Sequence, residues 1–479
     1  MGFTSLAFLV FFPIVLAVYL LLPGRFRAVW LLAASYAFCA SFGLSYLLVL
    51  LGSTLVTWLC GLGIERGRTE EKESPSGEDV LSGSNSRGRL LFWAVIAFHV
   101  IALGFFKYNR LGLLLPVGIS FYTFQAIGYL ADVRSGKTRA ERNLLNFALF
   151  QAFFPKLVQG PIERSGNLLA QIRTLPEKKV RDSERIRSGG LLLLWGLCEK
   201  LLIADRIAIP VNAVYGQFGH FGGVEIALTT VLYAFQIYCD FAGYTDIARG
   251  AAQMLGFELL SNFRRPYLAD SIQDFWRRWH QSLSSWLRDY LYIPLGGSRK
   301  GQLRRAVNLM ITFLVSGVWH GTGFHFLAWG GLHGLGQIAE ITGKRLFQGK
   351  EKQGGKRGLP KFVKQILVFL FVDLTWMVFR ANSVGDLRGM LWIIVTDFRL
   401  KDFAGMQLTG FEWLLILLGI LAVVCKDLAN ERGIAFRQWI LSRNAVCRCA
   451  IYTGLVAAIV ILGVYGAAYD TSQFLYTQF

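Results

Sequence analysis

Charge is scarce in this sequence. Only 17% of its 479 residues are Asp, Glu, Lys or Arg, while 54% are hydrophobic; soluble domains carry about a quarter charged residues. An ordinary water-soluble domain is thereby excluded. Acids are the scarcer kind, 31 against 50 Lys and Arg, which leaves a net charge of +19. That excess does not point to nucleic acid, because the cations lie mostly in short polar loops between apolar runs, where the positive-inside bias puts them. No basic helix or aromatic platform fit to read bases is present, so lipid headgroups are the expected partners instead. Cysteines number seven and follow no framework. Cys39, Cys60, Cys198 and Cys239 fall inside apolar runs, and Cys447 and Cys449 make one close pair with no second pair or nearby His. Free thiols and no metal are expected. No internal repeat is visible, which counts against a carrier built from related halves. The N-terminus has neither the basic n-region nor the small-residue cleavage site of a secretory leader, so Ser5 to Leu22 reads as an uncleaved first span.

What the chain does have is a succession of apolar runs, each about the 18 or more residues that cross a bilayer as a helix. Arg25 and Arg27 put the first loop in the cytosol and the N-terminus outside. Two spans then fit between Ala28 and Ile64, returning the chain to the cytosol for residues 65–89. That stretch is rich in Ser, Gly, Glu and Arg and is expected to be a disordered loop. Further spans are expected at Leu90–Phe106, Leu111–Ala131, Gly189–Ile209, Val224–Phe241, Gln365–Phe379, Phe411–Cys425 and Ala450–Ala468, with a less regular pair across 306–341. Residues 143–161 are apolar but broken by Pro155, Lys156, Gly160 and Pro161, with basic loops on both sides. They read as a re-entrant or buried segment. Residues 244–305 are aromatic and basic, and short amphipathic helices on the inner leaflet are expected there. The fold class is therefore all-α: one polytopic membrane domain over 1–479 with about eleven or twelve crossings, C-terminal helices in 342–479 separated by basic loops, and a C-terminal tail placed outside.

Ionisable groups inside spans are expensive and usually face a cavity or a partner. The sharpest case is VSGVWHGTGFHFLAWGGLHG, residues 315–334, which carries His320, His325 and His333 among Gly and Trp, with Trp319 and Gly321 flanking the first. In a helix from Ala306, His320 is about fourteen residues in, a rise of roughly 21 Å and well within the hydrocarbon. A neutral imidazole at that depth can take a proton from a hydroxyl and return it. Gly317, Gly321 and Gly323 leave room for a substrate or a close helix. Packing or interhelical hydrogen bonding is the expected role of His325 and His333, and chemistry that of His320. His320 and His325 are five apart and face different directions on a helix, which speaks against a metal.

A second constellation, residues 262–300, sets Trp276, Trp279, Trp286 and Tyr290 beside Arg277, Arg278 and Arg288. Guanidinium groups pair bidentately with phosphate. A cytosolic coenzyme A thioester would suit Arg277, Arg278, Trp279 and Arg288; lipid phosphate would suit them as well. His280 sits in the same stretch as a second polar partner. Asp240 and Asp246, flanking FAGYT at the inner end of a span, need partners such as an Arg of the following segment, and a structural role is expected of them. Lys156, in FPKLVQGPIER, belongs to irregular buried backbone that lines a cavity or makes a structural turn.

The segments LPVGISFYTFQAIGYLADV, FFPKLVQGPIER, YCDFAGYTDIARG, FRRPYLADSIQDFWRRWHQSLSSWLRDYLYIPLGGSRKG and GVWHGTGFHFLAWGGLHG resemble the membrane-bound O-acyltransferase family, in particular its bacterial alginate O-acetyltransferase type. They follow the family's order over most of residues 1–340. The resemblance implies the family's fold and an acetyl group passed from cytosolic acetyl-CoA, a substrate and not a bound cofactor, across a bacterial inner membrane to an extracytoplasmic polysaccharide. It implies His320 as the invariant His and His280 as the second polar position. A secreted or membrane-anchored acetyltransferase partner often completes transfer in such systems. Three rivals stand beside this reading: D-alanyl or other acyl transfer to a teichoic acid or lipid, a transporter, and a non-catalytic scaffold of a polysaccharide export complex.

Overall fold

The computed structural model describes residues 1–73, 84–108, 115–321, 323–351 and 359–465. All regular structure among them is helical. Sequence reading set no boundary inside the chain, but the described residues group into two compact units, 1–193 with 245–261 and 194–244 with 262–479.

In the first unit, α1 (Leu6–Leu21), α2 (Gly24–Ala40), α3 (Leu44–Glu73) and α4 (Ser84–Tyr108) carry the expected early spans. Ser5 caps α1 by accepting a hydrogen bond from the Phe8 N–H, and Pro23 ends the run before α2. Next comes α5 (Ile119–Ser135), which starts later than sequence suggested. Gly118 precedes it at φ 75°, and a Cβ there would lie 2.1 Å from the Leu157 carbonyl oxygen. The backbone turns that corner only with glycine. The helices α6 (Leu144–Ala152) and α7 (Phe154–Leu157) are too short to cross a bilayer. Their residues Phe147, Phe150, Phe153 and Phe154 are fully buried, as the re-entrant expectation requires. A π-helical stretch (Ser165–Leu169) then leads into α8 (Ala170–Arg173), and most of α9 (Ser183–Cys198) follows.

The second unit holds α10 (Asp205–Gly216), most of α11 (Gly223–Met254), α12 (Ile272–Arg278), α13 (Gln281–Leu287), α14 (Gln302–His320), α15 (Phe324–Glu351), α16 (Lys361–Arg380), α17 (Val384–Thr396), α18 (Gly410–Glu431), α19 (Phe436–Leu441) and α20 (Ala445–Leu462). Its aromatic core gathers Trp279, Trp329, Trp376, Phe275 and Phe379. Among the described residues, five helical stretches are long and apolar enough to cross a membrane: Leu44–Thr69, Gly88–Tyr108, Gly223–Met254, Lys361–Arg380 and Ala445–Leu462. The apolar α1, at 16 residues, is shorter. Other expected crossings fall on helices that are shorter, such as α2 and α5 at 17 residues, or more polar. The 189–209 span is one: α9 passes into α10 through a π-helical stretch, Glu199–Ala204, which holds Glu199 and Lys200.

Three expectations change. Residues 65–73 and 84–89 are helical, not loop, because strong helix formers such as Glu and Arg carry α3 beyond its apolar part; residues 74–83 lie outside the described ones. Residues 244–254 continue α11, because small side chains let it pack closely: a Cβ on Gly250 would meet the Gly189 carbonyl oxygen at 2.6 Å. The helix α17 was not foreseen. Its Trp392 and Val395 are exposed, so at 13 residues it gives neither the length of a span nor a buried stripe. The tail from Tyr469 lies outside the described residues.

Candidate active site

The helices α14 and α15 form a tight hairpin, and His320 is the last residue of its first arm. Close approach is possible because glycines face the partner helix. A Cβ on Gly317 would stand 2.4 Å from the Phe326 carbonyl oxygen, and one on Gly330 would stand 2.3 Å from that of Phe313. At Gly321 a Cβ would strike the Phe326 ring at 2.1 Å. The space left by Gly317 and Gly321 is therefore filled by the hairpin's own second arm.

His320 is 4% exposed. Its ring meets Trp329 edge-on, with centroids 5.0 Å apart and planes at 88°, and Phe379 at 5.2 Å and 82°. Trp319 closes a third side at 4.6 Å. The imidazole thus sits in an aromatic box built by α14, α15 and α16. Placement at a helix C-terminus adds the negative end of the backbone dipole, which favours a cation there.

Behind the box stands His333, fully buried on α15. The Trp276 indole N–H donates to its Nδ1 at 3.2 Å, so Nε2 carries the ring proton and donates to Thr375 Oγ1 at 3.0 Å. Thr375 in turn donates to the Val372 carbonyl at 2.7 Å. This one-directional chain ties α12, α15 and α16 together, and His333 lies 5.0 Å from Trp329. Interhelical hydrogen bonding, the role expected from sequence, is what the geometry has. His325 instead packs on Phe326 at 4.1 Å.

His280 joins α12 to α13 at φ 42°, ψ 53°, a left-handed conformation uncommon outside glycine. The corner is held from both sides: Gln281 donates its backbone N–H to the Asn262 carbonyl, and Ser282 Oγ donates to Asn262 Oδ1 at 2.6 Å. The ring is 1% exposed and meets Phe241 edge-on at 4.7 Å and Trp319 at 6.1 Å. Trp319 therefore touches both candidate histidines. Burial pushes the His280 imidazole down to about 3, so it is neutral at ordinary pH. Backbone strain of this kind clusters at functional sites, and nothing in the sequence signals it.

The cationic stretch separates into two groups. Arg278 is engaged by Asp274 at 2.7 Å and Glu431 at 3.1 Å, and Trp279 is core, stacked on Phe275 at 5.5 Å and packed on Trp376 at 4.9 Å. Neither offers its polar group to a donor. Arg277 is exposed, and Arg288 is exposed beside Asp289 at 2.9 Å; these two stay available to a phosphate. Asp240 takes Lys200, not an Arg, at 2.6 Å, and the same Nζ holds Asp205 at 2.7 Å. Asp246 does pair with an Arg of the next turn, Arg249 at 2.9 Å. Lys156, 2% exposed, donates to the Gln151 carbonyl at 2.7 Å and to Gln125 Oε1. It is hydrogen-bonded inside the irregular segment of the first unit. Among the described residues no three His, Cys, Asp or Glu gather as a metal would need. Sequence reasoning missed Trp329, Phe379, Lys200 and Asp205. The first two come from separate helices, and the cation and its second acid lie within an apparent span.

An all-helical membrane protein with a buried histidine at a hairpin tip defines the class. Comparison with known proteins defines it further. The profile of "MBOAT, membrane-bound O-acyltransferase family" matches residues 139–379, the stretch that contains His280, His320 and Phe379. The "Probable alginate O-acetylase AlgI" of Pseudomonas putida is 34% identical over all of both chains. The "Peptidoglycan O-acetyltransferase" of Helicobacter pylori is 31% identical over 76% of this chain and 74% of its own. The "Teichoic acid D-alanyltransferase" of Streptococcus thermophilus is 28% identical over 56% and 68%. The chain belongs to the membrane-bound O-acyltransferase family and is an O-acyltransferase embedded in a membrane through several helices.

Proposed function

We propose that the enzyme moves an acetyl group from cytosolic acetyl-CoA to a hydroxyl of an extracytoplasmic cell-surface polysaccharide, with a secreted or membrane-anchored partner completing delivery. The observation that carries the reading is His320, a buried imidazole in an aromatic box at the end of α14. The names of the acetyl-transferring relatives support the acyl group and the polysaccharide. The membrane is the inner membrane of a bacterium, with both termini outside.

In this mechanism His320 takes the proton from the acceptor hydroxyl as its oxygen attacks the thioester carbonyl. It then returns the proton to the departing thiolate. The imidazolium formed in between rests at the negative end of the α14 dipole. The aromatic walls keep water from competing with the acceptor. Direct attack needs no nucleophilic residue of the enzyme. Neutral His280, across Trp319 from the centre, serves as the second polar group. Arg277 and Arg288 offer cations to the donor's phosphates.

Labelled acetyl-CoA with the purified protein in liposomes tests this reading. Free coenzyme A and labelled glycan are expected. His320→Ala should insert and accumulate normally while transferring nothing. Transfer from a D-alanyl carrier with acetyl-CoA left intact would replace acetyl by D-alanyl. Movement of a substrate across the liposome without thioester cleavage would make the protein a transporter.

A further inference from the structure

Trp329 is 1% exposed, and its indole Nε1 has no hydrogen-bond partner. A buried N–H left unmade destabilises a fold, and far more so where no water can reach it. A phenylalanine at the same place would keep an aromatic ring without that unmade bond. Aromatic neighbours fix the ring. It stacks on Trp376 at 5.9 Å and 20°, meets Trp276 at 5.7 Å and 68°, and has His333 at 5.0 Å. Phe379 packs on it at 5.3 Å, and His320 meets it edge-on at 5.0 Å. The orphaned donor thus belongs to a ring that the clamp holds rigid against the reaction centre. A second orphan lies nearby: Ser316 Oγ, on a residue 1% exposed, is without a partner one helical turn before His320 on the same face.

Acyl transfer creates a need for such a donor. When the acceptor oxygen bonds to the carbonyl carbon, the hydroxyl proton passes to His320 and the carbonyl π pair moves onto its oxygen. That oxyanion must be stabilised until the C–S bond breaks and the thiolate reclaims the proton. Preorganised N–H donors in a water-excluded site do this more effectively than water. From the orphaned N–H, the rigid ring and its contact with His320, we infer that Trp329 is a catalytic residue, whose Nε1–H donates to the thioester carbonyl oxygen as it becomes an oxyanion. The inference rests on the acyl-thioester reading above and adds the electrophilic half of that site.

Trp329→Phe removes the N–H and keeps an aromatic ring. It is to be compared with wild type in liposomes, with acetyl-CoA as donor and a soluble glycan acceptor. Loss of a single oxyanion donor lowers kcat about 10²–10³-fold. Since the contact exists only in the transition state, KM for acetyl-CoA should not move. The indole does not titrate, so the pH profile of the reaction should keep its shape, and the melting temperature should drop only by the little that a smaller buried ring costs. A Trp329→Phe enzyme with wild-type kcat would overturn the inference. So would a loss of kcat accompanied by a shifted pH profile or a raised KM, because either marks a packing role. Wild type that leaves acetyl-CoA intact would overturn the parent reading, and this one with it.

Discussion

Replacing His333 by Phe tests how the reaction centre is held. Phe keeps the ring that packs on Trp329, Phe275 and Phe313 and removes both hydrogen bonds. The Trp276 N–H loses its acceptor, and Thr375 Oγ1 loses a donor while keeping its own bond to Val372. Each net hydrogen bond is worth about 0.5–1.5 kcal/mol, and an orphaned buried donor costs about 1–3 kcal/mol. Polar contacts between membrane helices average nearer 0.6 kcal/mol. A loss of about 1–3 kcal/mol is therefore expected, read as a lower melting temperature of the detergent-solubilised protein. Because Trp329 leans on His333 and His320 on Trp329, activity should fall as well. His333→Ala should cost more, since it adds a cavity. Thr375→Val paired with His333→Phe in a double-mutant cycle should show coupling of about 0.5–1.5 kcal/mol. A His333→Phe protein as stable and active as wild type, or two effects that simply add, would refute the clamp.

Gly317→Ala places a methyl group 2.4 Å from the Phe326 carbonyl; the hairpin must open, which costs about 1–3 kcal/mol and lowers transfer activity. Lys200→Met strands Asp205 and Asp240 in the interior, a loss of about 3–5 kcal/mol; adding Asp205→Asn and Asp240→Asn should recover most of it by the same melting assay. His280→Asn should keep the left-handed corner that His280→Ala strains by about 1–2 kcal/mol, so the alanine variant should melt lower. Folded His280 resists protonation down to about 3, while in the unfolded chain it titrates near 6.5. The unfolded state therefore binds more protons as pH drops through 6.5, and stability should fall there; His280→Asn should show a smaller fall.

Hydropathy and charge placement made the helical membrane class legible, because long apolar runs have no other use in a chain this poor in charge. Depth in a span marked His320, and the family resemblance singled out His320 and His280, yet not their surroundings. The box around His320 draws Trp329 and Phe379 from α15 and α16, and no local period links them to residue 320. The left-handed turn at His280 is imposed by Asn262 and Ser282, so no turn residue marks it. Lys200 and Asp205 were hidden because the π-helical stretch and the start of α10 carry them inside an otherwise apolar run. Arg278 and Trp279 looked like ligands for a donor because residue type alone does not tell that Asp274, Glu431 and Trp376 already take them. The polar face of α3 beyond Ile64 was read as loop for want of an apolar stripe, although its residues favour helix.

Release of coenzyme A from labelled acetyl-CoA, followed with wild type and His320→Ala side by side at matched membrane abundance, bears most directly on the chemistry at the hairpin tip. Wild type should release coenzyme A in step with acetylation of the glycan, and the variant should release none. Equal release by the two proteins would contradict a reaction centred on His320.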